Sequence, residues 1–332
     1  MTEYFRMRCD LDRAVESGQR ALALATSLGD VGLQVRANFY LGSVYYDQGD
    51  YHQALDCHGW NGATLQSDLS RERFGMTGLP SVLSRVYLSW SLSELGAFTE
   101  ATTRGEEGVQ IAEAMHHPFS LIWAYAGIGI LYLTKGDVHR GIPVLKRGLE
   151  LCQAWDILTL LPPVTRALGT AYALSGRVPE ALPLLEQAAS QGRRGGHALY
   201  FVHLSKAYLL AGRIEEALER AQYALSLAQG YKQRGYQAYA LCLLGDIAAR
   251  HEPPQSARAA AHYQQALALA KELGMRPLQA HCHRGRGTLY SVTGQRGQAR
   301  AELSTAIEMY RTMEMTFWLP QAEATLAQMT ER

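Results

Sequence analysis

Apolar residues recur along this 332-residue chain at intervals of three and four, and no stretch keeps the alternation of a half-buried strand. Leu199, Val202, Tyr208 and Leu209 illustrate the spacing. The pattern predicts a helix at about 10–28, then helix pairs at 33–48 and 51–65, 79–95 and 98–115, and 119–135 and 138–153. Further pairs are predicted at 158–175 and 178–191, 197–211 and 214–229, 234–250 and 256–273, and 277–293 and 296–313. A last helix at 317–330 caps the series, with Pro320 in its first turn, where amides need no intrahelical partner. Connections are short except at 67–78, where Arg71, Glu72 and Arg73 suggest a projecting loop.

The helix pairs repeat. Leu41-Gly42-x-x-Tyr45 leads to Gly49-Asp50-Tyr51 and Ala54-Leu55. Ile128-Gly129-x-x-Tyr132 leads to Gly136-Asp137, and Leu168-Gly169-x-x-Tyr172 to Gly176-Arg177 and Ala181-Leu182. Leu204-Ser205-x-x-Tyr208 leads to Gly212-Arg213 and Ala217-Leu218, and Arg286-Gly287-x-x-Tyr290 to Gly294 and Ala299. Weaker copies start at Leu88 and at Leu244-Gly245, the latter followed by Pro253-Pro254. The turn glycines step from 49 to 96, 136, 176, 212 and 294, a period of about 40 residues. Each residue type has a physical reason. A small residue at the Gly42 position lets the second helix approach, a turn glycine takes the left-handed conformation, and the alanine packs where the helices cross.

These motifs resemble the tetratricopeptide repeat (TPR), with helices longer than in the minimal repeat of roughly 34 residues. The expected fold is all-α, a right-handed α-solenoid of antiparallel helix pairs forming one domain over 1–332. It comprises seven full pairs, a partial first repeat at 10–28 and the cap helix at 317–330. Only nine residues precede Asp10, so the first repeat is expected to lack its opening helix, as in a piece of a longer array; the alternative is a short atypical cap.

Several strings narrow the resemblance: SDLSRERFGMTGLPSVLSR from Ser67 to Arg85, RPLQAHCHRGRGTLY from Arg276 to Tyr290, His117-Pro118-Phe119-Ser120, Met309-Tyr310-Arg311 and Met315-Thr316-Phe317-Trp318-Leu319. With the repeats, they make nearly the whole chain similar to the C-terminal TPR region of large bacterial signalling proteins. In that family a class III adenylate/guanylate cyclase domain and a nucleotide-binding ATPase domain come first. The resemblance implies a sensing or docking arm in signal transduction and carries over no catalytic residue.

Composition points the same way. Lys plus Arg number 32 and Asp plus Glu 31, a net charge of +1 that gathers neither nucleic acid nor an anionic membrane. The five cysteines are scattered and form no CxxC, which fits a reducing, cytoplasmic setting. The amino-terminal residues lack the apolar run of a signal peptide, and nothing approaches the ~20 apolar residues of a membrane span. No GxxxxGK[ST], GxSxG or HExxH occurs, so no cofactor, no metal and no enzymatic activity is expected. Gly127-Ile128-Gly129 and Gly285-Arg286-Gly287 read as helix packing. His281-Cys282-His283 point in three directions on a helix and cannot share a metal. His116-His117, before Pro118, suit a helix C-terminus.

In a TPR stack the first helix of each pair lines the concave face. The groove candidates are Arg36, Phe39, Tyr46, Asp47, Trp90, Glu94, Trp123 and Ile130 in the amino-terminal half. Arg166, Thr170, Lys206, Tyr239, Asp246, His281, Arg284 and Thr288 follow. Aromatic and arginine side chains often carry interface energy. The expected partner is a peptide or protein domain, with apolar anchors near Trp90 and Trp123 and an acidic end near Arg166, Lys206 and Arg284. The alternative is that both tryptophans are core. Two other roles remain: a free-standing TPR adaptor, or the effector-binding region of a LuxR-type ATP-dependent transcription regulator. The latter needs a helix-turn-helix after the array, and residues 314–332 are too short for one. RNA-binding helical repeats need a strongly basic groove, which is not seen here.

Overall fold

A computed structural model describes residues 1–192 and 198–330. The described residues form helices with no strand. Helix α1 (Thr2–Met7) and α2 (Leu11–Ser27) come first, then the pairs α3 (Val31–Gln48) and α4 (Tyr51–Thr64), α5 (Pro80–Glu94) and α6 (Phe98–Met115), and α7 (Pro118–Lys135) and α8 (Val138–Ala154). Next come α9 (Leu161–Leu174) and α10 (Val178–Gly192), α11 (Ala198–Leu210) and α12 (Ile214–Gly230), α13 (Arg234–Arg250) and α14 (Ser256–Glu272), and α15 (Arg276–Val292) and α16 (Arg296–Thr312). Helix α17 (Leu319–Thr330) packs on α16. These bounds match the expected pairs within a few residues; residue 197, the expected start of one helix, lies outside the described residues.

The local reasons are visible in the contacts. Asp30 and Asp50 cap α3 and α4, accepting hydrogen bonds from the amides of Leu33 (2.9 Å) and Gln53 (3.2 Å). A Cβ on Gly129 would lie 2.5 Å from Leu145, so this position lets α8 lie close on α7. Where Ser205 replaces that glycine, its hydroxyl donates to the Ala217 carbonyl (2.6 Å), tying α11 to α12. The crossing alanines Ala54, Ala181, Ala217 and Ala299 have no exposed surface.

Three expectations need correction. The first repeat does have a short opening helix: α1 packs on α2 and α3, where Arg6 reaches Asp47 at 2.8 Å. The segment 67–78 does not project freely. It begins as a 3-10 turn (Ser67–Arg71), its buried Met76 accepts from the Arg73 guanidinium, and the Ser70 carbonyl accepts from the Ser81 hydroxyl (2.7 Å). His117 does not close a helix. It caps the N-terminus of α7, its Nδ1 accepting from the Ser120 amide (3.3 Å), while His116 ends α6 in the left-handed region.

The feature that sets the shape is contact between successive superhelical turns. Helix α3 touches α13, and α5 touches α15, five repeats further along. Gly49, at φ +86°, ends α3 against the backbone of Gly235; a Cβ there would come within 2.9 Å of the Gly235 nitrogen. Gly96 sits against Met313, and Gly136 against Phe317 and Trp318. By contrast Gly176, Gly212 and Gly294 have open space around them. The seam also carries polar links: the Tyr239 hydroxyl donates to Glu94 (2.8 Å), Lys135 pairs with Glu314 (3.1 Å), and Lys232 pairs with Asp12. One hydrophobic cluster joins Leu41, Tyr46 and Trp90 of the first turn to Leu241, Leu278 and Leu289 of the second.

The seam is testable apart from the repeats. A Cβ on Gly235 would overlap the Tyr51 hydroxyl and meet nothing else outside the seam. Leucine favours helix over glycine by about 1 kcal/mol, so Gly235→Leu leaves the helix itself intact. The expected result is an unchanged helical circular-dichroism signal with a radius of gyration at least ~1 Å larger by X-ray scattering, against a compact value near ~20 Å.

Candidate functional site

The first helices of the pairs face inward, and contact between the superhelical turns brings their inner surfaces round a half-open cavity of about 250 Å³. Tyr46 comes from α3, Trp90 and Glu94 from α5, and Ile130 from α7. Arg166 and Thr170 come from α9, Lys206 from α11, Tyr239 and Asp246 from α13, and His281 and Arg284 from α15. The candidate groove residues therefore do not spread along an open channel from an aromatic to a basic end. Most of them face one another across a single chamber.

Five candidates lie elsewhere. Arg36 and Thr288 are exposed and are not part of the cavity wall. Phe39 packs edge-on against Tyr87 and His58. Asp47 is buried with Arg6 as its partner, because α1 covers the position. Trp123 is half-buried, edge-to-face with Trp90. Trp90 is itself 8% exposed, with its indole nitrogen donating to the Gly127 carbonyl (3.0 Å), so it is both core and chamber wall.

Sequence reasoning missed other wall residues. His203 and Tyr236 lie next to helix positions already picked out. Trp318 enters from the segment before α17, edge-on to His281 at 4.8 Å and with the Arg284 guanidinium 5.9 Å from its ring. No repeat motif marks Trp318, since it lies outside the repeats and reaches the chamber only because the second turn meets α7.

The chamber holds charge in apolar surroundings. Lys206 pairs with Asp246 at 2.8 Å, and the Tyr263 hydroxyl donates to the other carboxylate oxygen (2.7 Å). Burial pushes the Asp246 carboxyl up, but Lys206 and Arg284 outweigh it and hold the group well below its ordinary value. Glu94 has no such neighbour. Burial raises its carboxyl to about 7, against a smaller opposing effect of the Tyr239 hydrogen bond. Burial, then Arg284 and Lys206, bring His281 down to about 3; burial and Arg166 also lower His203 well below its ordinary value. Both imidazoles are neutral at pH 7. His281 hydrogen-bonds Tyr310 (2.7 Å) and His283 pairs with Glu302 (2.6 Å), while Cys282 is fully buried. Among the described residues no group of three His, Cys, Asp or Glu side chains is placed to hold a metal, and no helix is long and apolar enough to cross a membrane.

No protein-family model matches the chain, and no curated protein matches it. Solved structures do. The Rap conjugation gene regulator of plasmid pLS20, in complex with the Phr* peptide, superposes with a TM-score of 0.66 at 15% identity over 94% of each chain. A Rap protein complexed with Competence and Sporulation Factor gives 0.63 at 15% identity, over 82% of this chain and 73% of the other. Aspartyl phosphate phosphatase F from Bacillus subtilis gives 0.55 at 12% identity, over 87% and 74%. The chain has the TPR-like helical-repeat fold of these proteins.

Two measurements probe the chamber's charges. Between pH 4.5 and 7 the folded state keeps the Glu94 proton that the unfolded chain has lost, so this contribution is present below 4.5 and lost as pH rises to 7. Urea midpoints at the two ends of that window should show wild type losing on the order of 3 kcal/mol more than Glu94→Gln, upper bound. Lys206→Met strands Asp246 and should cost about 2 kcal/mol, less than a fully buried pair because both side chains keep some solvent contact. Adding Asp246→Asn should return most of that loss in a double-mutant cycle.

Proposed function

We propose that this protein is a non-catalytic regulatory module that holds a peptide or protein partner on the inner face of its superhelix. The observation that carries this reading is the convergence of Arg166 and Arg284, and of Lys206 beside its partner Asp246, with Trp90 and Tyr46 on one apolar-walled chamber. Basic groups on rigid helices beside aromatic surface suit an acidic, partly apolar segment. The Rap neighbours, whose solved complexes contain Competence and Sporulation Factor and the Phr* peptide, support a peptide as the class of partner.

The further step is that the module is the C-terminal arm of a larger bacterial cyclase–ATPase–TPR signalling protein. The linker and tail strings at 67–85, 276–290 and 309–319 support it. An antibody raised to this chain sizes the native protein in its source cells. A band several times larger than 36.7 kDa is expected; a band at that mass removes the cyclase linkage and leaves an adaptor.

Partner binding has its own test. On an array of peptides with acidic ends, the Arg166→Ala, Lys206→Ala double variant should bind at least about tenfold more weakly than wild type. An exposed control, Arg147→Ala, should bind as wild type does. Equal affinity for the double variant and wild type removes the basic half of the reading.

A further inference from the structure

Three cations, Arg166, Lys206 and Arg284, line the chamber with two carboxylates, Asp246 and Glu94. Two of the cations are tied to Asp246. Lys206 pairs with it at 2.8 Å, and Arg284, itself hydrogen-bonded to Gln321 (3.0 Å), acts with Lys206 to keep it ionised. Glu94 does not balance the third. Burial raises its carboxyl to about 7, so much of it is uncharged at neutral pH. The wall as a whole is therefore positive.

Arg166 is where that excess sits. It is 8% exposed, and unlike Glu94 or a histidine it cannot shed its charge. Among the described residues no carboxylate lies within 4 Å of it. Its guanidinium lies 5.6 Å from the Tyr200 ring, and the groups that its charge bears on are Tyr200, His203 and Tyr236, all neutral at pH 7. A buried guanidinium held only by neutral groups is costly until an anion reaches it. The surface beside it is apolar. Arg166, Thr170 and Leu174 follow at four-residue steps along the inner face of α9, and Leu199 and Val202 of α11 line the same wall.

We propose that the chamber binds a small apolar carboxylate, a monoanion whose head meets Arg166 and whose hydrocarbon body lies against Leu174, Leu199 and Val202. The inference rests on reading the inner face as a binding surface and gives that surface a small-molecule ligand. One planar guanidinium suits one charge spread over two coplanar oxygens. A doubly charged phosphate would leave charge over in apolar surroundings, and an amine would add to the existing excess. Size sets the body. A cavity of ~150 Å³ takes benzene, so about 250 Å³ takes roughly ten non-hydrogen atoms, as in octanoate.

The test is a calorimetric and thermal-shift titration of the full chain at pH 8 with octanoate, octanamide, octylamine and acetate. At about a hundredfold excess over Kd, octanoate should raise the unfolding midpoint by about 4 °C. Octanamide and octylamine should bind at least about tenfold more weakly, and acetate, which lacks the body, should give no shift. Arg166→Met should abolish the preference for octanoate over octanamide, Arg166→Lys should keep part of it, and the exposed control Arg147→Ala should behave as wild type. No shift with octanoate up to about 10 mM, equal binding of acid and amide, or a preference that survives Arg166→Met overturns the proposal. If the Arg166 variants fail to fold, the wild-type series decides alone. Peptide capture is scored separately. Octanoate binding without capture sinks the partner reading and leaves this inference standing, and capture without octanoate binding does the reverse.

Discussion

The Tyr51 hydroxyl lies against Gly235, five repeats away along the chain, and Gly49 beside it leaves room for the backbone of the same helix. From this seam follows the difference between the present fold and an open groove. A solenoid whose turns stay apart exposes its inner face to water, and charges there are screened and cheap. Here the second turn rests on the first, so inner side chains separated by well over a hundred residues face each other across a small volume. The Glu94–Tyr239 hydrogen bond is the polar mark of that approach, and the shared cluster of Leu41, Trp90, Leu241 and Leu278 is its apolar counterpart.

Closure changes the electrostatics more than the packing. Lys206 and Asp246 sit at equivalent places in neighbouring repeats and neutralise one another, with Tyr263 completing the carboxylate. Arg284 is steadied by a hydrogen bond to Gln321 from α17, so the capping helix reaches into the same network. Glu94 and Arg166 have no equivalent arrangement. A protein interior does not keep lone charges for stability, because apolar residues of similar volume serve as well or better. Glu94 meets that cost by holding its proton, since burial raises its carboxyl to about 7.

The repeats were legible in the sequence because their causes are local. A glycine, serine or alanine at a helix crossing, a glycine at a turn and a tyrosine one helical turn before it state the helix pair within about 40 residues. The inward faces follow from the same register, which assigns Arg166, Lys206, Asp246 and His281 to the inner surface. The seam was not legible. Superhelical radius and pitch accumulate from small rotations at every interface, and no single residue encodes them. Asp47 shows the cost of that blindness: its position in the repeat assigns it to the groove, yet Arg6 from the short α1 covers it. Trp318 shows the converse, a tail residue outside any repeat that becomes chamber wall only after the chain has wound round once. Gly49, Gly96 and Gly136 held a hint. Their φ values resemble those of Gly176, Gly212 and Gly294, so the turn alone cannot distinguish the two sets; only the neighbours across the seam do.

Because the chamber wall is shared between turns, any occupant acts on the seam as well as on its own contacts. Tyr46, Trp90 and Glu94 belong to the first turn; Tyr239, Asp246, His281 and Arg284 belong to the second. A ligand touching both sets binds the closed arrangement better than an open one and shifts the balance by that difference in affinity and no more. The contacts at risk in opening include Tyr51 on Gly235, Glu94 on Tyr239, Lys135 on Glu314, Lys232 on Asp12 and the apolar cluster that the two turns share. These links lie apart from the buried crossing alanines of the helix pairs, so loss of the seam leaves each repeat's own packing in place.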